Sequence, residues 1–304
     1  MFTTKKMVGG KRVYTARMGL VYLFVDVKKG ADQDIFTDPS DDLTDLPDDD
    51  TGYPDDGTYP PEDAPPGYKF TVDTWSRERN LEDKISALEQ ITHYAHVVQS
   101  RQFRTCVFSL AISGSTVRIM RWDRSGVLVT RSFDYRSEPG LLIKFVWRFV
   151  SAPQVQQGFD LTAFSRVPEQ ERDLFLEAVR SHVQLQLALG PKTPAKILDS
   201  HVDIHHNPGV ITRLVVEGRS FLISRPLWVS TAVTGRCTVC FWGVDCDTKQ
   251  VVFVKDVWRT NVEGVEQEGQ ILKRLREKEV GYIPSLLCHG DVTGQGKHAA
   301  DPHG

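Results

Sequence analysis

The sequence predicts an α+β protein in two successive parts, a front α+β domain followed by a smaller antiparallel sheet with one helix. Three observations predict it. Apolar residues spaced by three and four mark a helix near residue 77, β-branched runs broken by glycine turns follow it, and a second series of such runs begins at Val210. Strands and helices that cluster in this way, without a regular βαβ order, speak for segregated layers rather than a parallel α/β core.

Taken in order, residues 1–30 form an N-terminal strand segment, because Gly19 to Lys28 (GLVYLFVDVK) is rich in β-branched and aromatic residues and reads as a buried strand. The composition then changes abruptly. From Ala31 to Pro66 the chain is crowded with Asp and Pro and holds no Lys or Arg. Residues 31–75 are therefore expected to be an acidic disordered insertion, with too little apolar surface to offset the entropy of ordering it.

A family-specific α+β domain is expected over 76–220. Leu81, Ile85, Leu88, Ile91, Ala95 and Val98 place one apolar stripe on a helix from Arg77 to Ser100. CVFSLAI, TVRIMRWD and VLVTRSF, separated by SGS and RSG, predict a three-stranded antiparallel meander from Cys106 to Phe133. Pro139 then opens LLIKFVWRFV as a helix with proline in its first turn, and Pro168 to Leu189 is a second amphipathic helix with acids at its start.

The last part, 221–304, continues a pattern that starts with VITRLVV, the turn EGR and SFLISRP. Two more strands, Cys237 to Val244 and Val251 to Val257, flank the polar turn DCDTKQ, and Val265 to Leu275 reads as a helix.

Composition narrows the class of function. With 304 residues, 40% hydrophobic and 25% charged, the chain can bury one large core or two modest ones. A net charge of -3 supplies no electrostatic ground for a nucleic-acid or membrane partner. No apolar run approaches the roughly 20 residues that span a bilayer, and the basic start MFTTKKMVGGKRVYTARMG lacks the apolar core of a secretory signal. Cys106, Cys237, Cys240, Cys246 and Cys288 are odd in number and scattered, so they read as reduced thiols of an intracellular protein, in cytoplasm or nucleus.

The chemistry-bearing candidates are Lys255, near the end of the apolar strand VVFVKDVW, and Glu268, on the helix EGVEQEGQILKRL that follows. An ammonium can stabilise phosphate charge, and a carboxylate can hold its flexible stem and keep it protonated against desolvation. Alone, such a pair is weak evidence, since a charge on an amphipathic element is usually part of a solvated face. It does not stand alone. RTCVFSLAISGSTVRIMRWDRSGVLVTRSFDY at 104–135, VTGRCTVCFWGVD at 233–245, VVFVKDVWR at 251–259 and EGVEQEGQILKRLREKEVGYIPSLLCHGDV at 263–292 together resemble, in the same order, the fungal-type protein kinase family of basidiomycetes.

That resemblance implies a protein-kinase-like small lobe starting near Phe221. Lys255 would be its nucleotide-binding lysine, Glu268 the helix partner, ahead of Gly-Gln-Ile-Leu, and Gly235 would sit in the phosphate-covering loop. The family's activity would be transfer of the ATP γ-phosphoryl group to protein Ser or Thr with Mg. ATP and Mg are the implied cofactors and a nucleotide the implied ligand, while no protein substrate or partner is legible.

Two departures qualify this. The loop reads TGRCTVCFWG, with Cys237 where a further glycine is expected, and neither HRD nor DFG occurs. No catalytic residue and no metal ligand are therefore assigned in this chain. The expectation is a catalytically incomplete fragment, with a non-catalytic binding module of pseudokinase type as the alternative. His289-Gly290-Asp291 lies too soon after Lys255 to be a catalytic loop and reads as the connection into a further strand.

Three other signals are set aside. Cys237 and Cys240 have CxxC spacing, but residues three apart on a strand face opposite sides and no second CxxC exists. Asp26-Val-Lys28 has a nuclease-like D-x-K form, yet no acid precedes it. Trp122 to Gly126 reads as a hairpin turn that presents Arg121 and Arg124 for surface salt bridges.

Overall fold

The computed structural model describes residues 3–8, 11–16, 21–30, 33–36, 38, 81–190, 194–206, 210–232, 234–259 and 266–292. The chain divides into two units, one of Met1–Val98, Val107–Trp122 and Val127–Ala152, the other of Gln99–Cys106, Asp123–Gly126 and Pro153–Gly304. Both combine helices with mostly antiparallel sheet, so the α+β class stands. No described helix is long and apolar enough to cross a membrane.

In the first unit, β1 (Thr3–Val8) and β2 (Lys11–Ala16) form an antiparallel hairpin. They precede β3 (Leu23–Lys28), α1 (Leu81–Arg101), β4 (Val107–Ser113), β5 (Thr116–Trp122), β6 (Val127–Val129), β7 (Phe133–Asp134) and α2 (Pro139–Ser151). The second sheet has the order β3-β4-β5-β6, with β7 also on β5. The meander read from the sequence is thus β4-β5-β6, and β3 adds to it in parallel, Phe24 opposite Ser109.

Period-2 alternation sorts the side chains of this sheet. Val107 of β4 and Met120 and Trp122 of β5 meet Ile91, Ala95 and Val98 of α1, and the Trp122 indole donates to Ser109 Oγ at 2.8 Å. The other face carries Phe108, whose ring meets Phe149 of α2 edge-on at 5.6 Å while Phe145 stacks on Phe149 at 6.0 Å. Pro139 lies in the first turn of α2 as expected.

Two expectations need correction here. β3 is not buried on both sides: Phe24 is in the core, but Val25 and Val27 are exposed, because β3 is an edge strand met by α1 on one face. The acidic segment is also not unpacked from its first residue. Ile35 and Phe36 are buried in the core beside α1, and Asp34 and Asp38 both pair with the buried Arg118 guanidinium. Composition averaged over the segment hides this, since one apolar pair flanked by carboxylates suffices once a buried arginine awaits it. Residues 39–75 lie outside the described residues.

The second unit contains β8 (Ala163–Phe164), α3 (Glu169–Gln186), α4 (Ala195–His205), β9 (Thr212–Val216), β10 (Arg219–Val229), β11 (Val239–Asp245), β12 (Val251–Asp256) and α5 (Glu268–Glu277). Its sheet runs β12-β11-β10-β9-β8, antiparallel throughout. Leu222 and Val244 face Phe175, Val179 and Val183 of α3 and Leu198 and Val202 of α4. Ile223, Phe241 and Leu214 form a smaller cluster, with Val254 and Phe103 against it. Helix α4 was missed in the sequence, where only Leu198 and Val202 carry an i, i+4 signal. Residue 221 lies inside β10 and one sheet extends from residue 163 to 256, so no structural break coincides with the expected start of the last part.

Candidate functional site

The sheet of the second unit positions the candidate residues by register. Cys240 of β11 is paired with Lys255 of β12, and Trp242 with Phe253, so Lys255 shares a face with Cys240 and Trp242. Helix α5 approaches from that side. Glu268, in its first turn, receives both halves of a bidentate contact from Lys255 Nζ, 2.8 Å to Oε1 and 2.6 Å to Oε2. The structure brings Lys255 and Glu268 together.

Arg236, in the loop between β10 and β11, also points at this carboxylate, its Nη2 3.6 Å from Glu268 Oε2. All three side chains retain solvent contact, and Arg236 the most, so the cluster stands open to a ligand. Sequence reading missed Arg236. Its only signal was a place beside Gly235.

The apolar side chains of β12 and α5 do little to seat the helix. Val254 packs against the small cluster, but Phe253 and Ile271 are exposed, and Leu272 and Leu275 are only half-buried. Nothing among the described residues covers Phe253. Polar contacts and close backbone approach hold the helix instead. Glu266 takes two hydrogen bonds from Arg274, at 2.6 and 2.7 Å. Gln267 Oε1 accepts a hydrogen bond from His289 Nδ1 at 2.9 Å and Gln267 Nε2 donates to Asp291 at 2.8 Å, and Asp291 also pairs with Arg259 at 2.7 Å. Arg259, and then Gln267, hold the Asp291 carboxyl below its usual range.

Gly269 is the buried residue of α5, and a Cβ there would lie 2.1 Å from the His289 ring. His289-Gly290-Asp291 is thus the seat of the helix, in a segment with no assigned helix or strand. A cleft of about 890 Å³ lies along this seat, lined by Gln267, Gln270, Lys273, Cys288 and His289 among others, and Lys255 and Glu268 are not on its walls.

Gly235 lies in the β10–β11 loop with φ +81, a conformation that glycine adopts without a Cβ penalty. Its N–H is taken: it donates to the Arg124 carbonyl at 2.8 Å. Arg124 belongs to the turn Asp123–Gly126, counted with the second unit, and is buried rather than presented at the surface. Burial lowers the pKa of its guanidinium, which hydrogen-bonds the Cys237 thiol and is attracted by Asp256. Burial, reinforced by the charge of Asp160, pushes Asp256 up to about 6 against the pull of Arg124.

Cys237 has φ +39 and precedes β11, so the strand argument used to set aside the CxxC spacing applies to Cys240 only. Its thiol, raised above its usual pKa by burial, reaches the carbonyls of Ala232 at 3.3 Å and Thr234 at 3.2 Å. Asp26 and Lys28 of β3 pair with each other at 3.5 Å, and Lys28 donates to Gln90.

Chemically, two cations gathered on one carboxylate fit the phosphate groups of a nucleotide. Among the described residues no group of three or more His, Cys, Asp or Glu is placed to hold a metal ion. The comparisons agree with a family and go no further: a family described as fungal protein kinase matches residues 72–301. No curated protein and no solved structure matches.

Proposed function

Because the chain belongs to the fungal protein kinase family, we propose that its second unit is a nucleotide-binding small lobe in which Lys255 engages the phosphates of ATP and Glu268 holds that lysine in place. The observation that carries the reading is the bidentate Lys255–Glu268 pair, formed between a sheet strand and the helix after it. The carboxylate offsets part of the cost of keeping an ammonium ordered at the sheet face, and phosphate then meets a cation already aimed.

Phosphoryl transfer to Ser or Thr would need an aspartate that accepts the hydroxyl proton and another that holds metal. Neither HRD nor DFG is present in the 304 residues. Nucleotide capture without transfer, a pseudokinase type of binding module, is therefore the activity proposed for this chain as it stands.

Calorimetry of the full chain with ATP tests this directly. Binding that disappears in Lys255→Met is the expected result, and wild-type binding unaffected by that change would refute the assignment. Labelled γ-phosphate passed to a protein acceptor, and lost in Lys255→Met, would overturn the non-catalytic part alone.

A further inference from the structure

The β10–β11 loop commits three of its backbone amides to protein partners. Ser230 N–H donates to Thr238 O at 3.0 Å, Ala232 N–H to Ser230 Oγ at 3.2 Å, and Gly235 N–H to Arg124 O at 2.8 Å. A loop that recognises phosphate through its backbone needs such amides pointing at the ligand. The glycine best suited to that task has given its amide to the Asp123–Gly126 turn. Beneath it, Arg124 and Cys237 are buried and hydrogen-bonded to each other, which anchors this arrangement from inside.

The same geometry presents a side chain next to the committed Gly235 amide. Arg236 lies between the two left-handed residues Gly235 and Cys237, and its carbonyl accepts the Trp258 N–H at 2.9 Å, so its backbone is fixed at a sharp turn. Its guanidinium remains exposed and reaches the oxygen of Glu268 that Lys255 also contacts. One carboxylate thus spaces two cations, leaving the cluster with a net positive charge at the open side.

Resting on the nucleotide reading above, we propose that Arg236 is a phosphate-binding residue, and that this loop recognises the polyphosphate of its ligand through the Arg236 guanidinium together with Lys255 in place of backbone amides. The planar fork of arginine can give two parallel hydrogen bonds to one phosphate, a geometry a lysine cannot reproduce. The recognised chemistry is a chain of phosphates, so a nucleoside triphosphate and an inorganic tripolyphosphate both qualify.

Affinities of the full-length wild type, Arg236→Ala and Arg236→Lys for ATP, inorganic tripolyphosphate and adenosine test the proposal. Arg236 is exposed, so Arg236→Ala is expected to fold, with an unchanged melting temperature as the check. Arg236→Ala should weaken ATP and tripolyphosphate alike by about tenfold, the scale of one charge-assisted hydrogen bond, and Arg236→Lys should recover only part of it. Adenosine should not compete. ATP bound equally by wild type and Arg236→Ala, with Lys255→Met still defective, overturns this inference and leaves the nucleotide reading intact. A wild type that binds neither ATP nor tripolyphosphate overturns both.

Discussion

Asp245→Asn is expected to destabilise the second unit by about 2 kcal/mol at neutral pH, and to do so in a pH-dependent way. Asp245 ends β11 with a fully buried side chain. Its carboxylate accepts from both Arg219 Nε and Arg219 Nη2, from Thr248 Oγ1 at 2.7 Å and from the Asp247 N–H at 3.1 Å. These contacts, the Arg219 hydrogen bond foremost, hold its pKa at about 2 against an ordinary 3.8. The shift, converted at about 1.4 kcal/mol per unit, sets the size of the effect.

The sign follows from proton uptake. The unfolded chain binds the proton first, so the stabilisation is complete above pH 3.8 and is lost as the pH falls through about 2. Near pH 3 about half should remain. The measurement is guanidinium unfolding of wild type and Asp245→Asn from pH 7 down to pH 3, supported by thermal melts in which the neutral-pH gap is about 4 to 8 °C. A gap that is absent at pH 7, or as large at pH 3 as at pH 7, would refute the view that the ionised carboxylate ties the β11–β12 turn to β10.

Two further outcomes are expected elsewhere. Arg118→Met removes a buried guanidinium that reaches Asp34, Asp38 and the carbonyls of Phe36 and Thr130, so the first unit should lose about 3 kcal/mol; unchanged stability, or unchanged hydrogen exchange over residues 33–38, would show that this segment is not docked there. Gly269→Ala places a Cβ 2.1 Å from the His289 ring, which should cost about 1 to 3 kcal/mol of stability and weaken ATP binding by shifting Glu268. Adding His289→Ala should restore much of the loss, and a double variant as impaired as the single one would argue against this seat.

Much of the local structure was legible without coordinates, because it depends on neighbours in the chain. The period of three and four gave α1 its place, Pro139 ahead of an apolar run gave α2, amphipathic patterning gave α3 and α5, and β-branched runs bounded by glycine or polar turns located the β4-β5-β6 meander and the strands β9 to β12. Lys255 and Glu268 were nominated together by their order, strand then helix, and by the resemblance of the surrounding segments to the kinase family, and the structure joins them across thirteen positions.

Tertiary structure alone decided what depends on distant partners. Arg118 meets Asp34 across 84 positions, and no local pattern announces that a carboxylate in an acidic stretch has a buried guanidinium waiting for it. Arg124 looked like a surface turn residue and is buried against Cys237, while the Gly235 amide, which glycine chemistry would offer to phosphate, is spent on the Arg124 carbonyl. Burial and hydrogen-bond satisfaction belong to pairs of groups, whereas a sequence displays each group singly. Residue types therefore told which side chains could bind phosphate, and only the fold decided which donors were still available to do so.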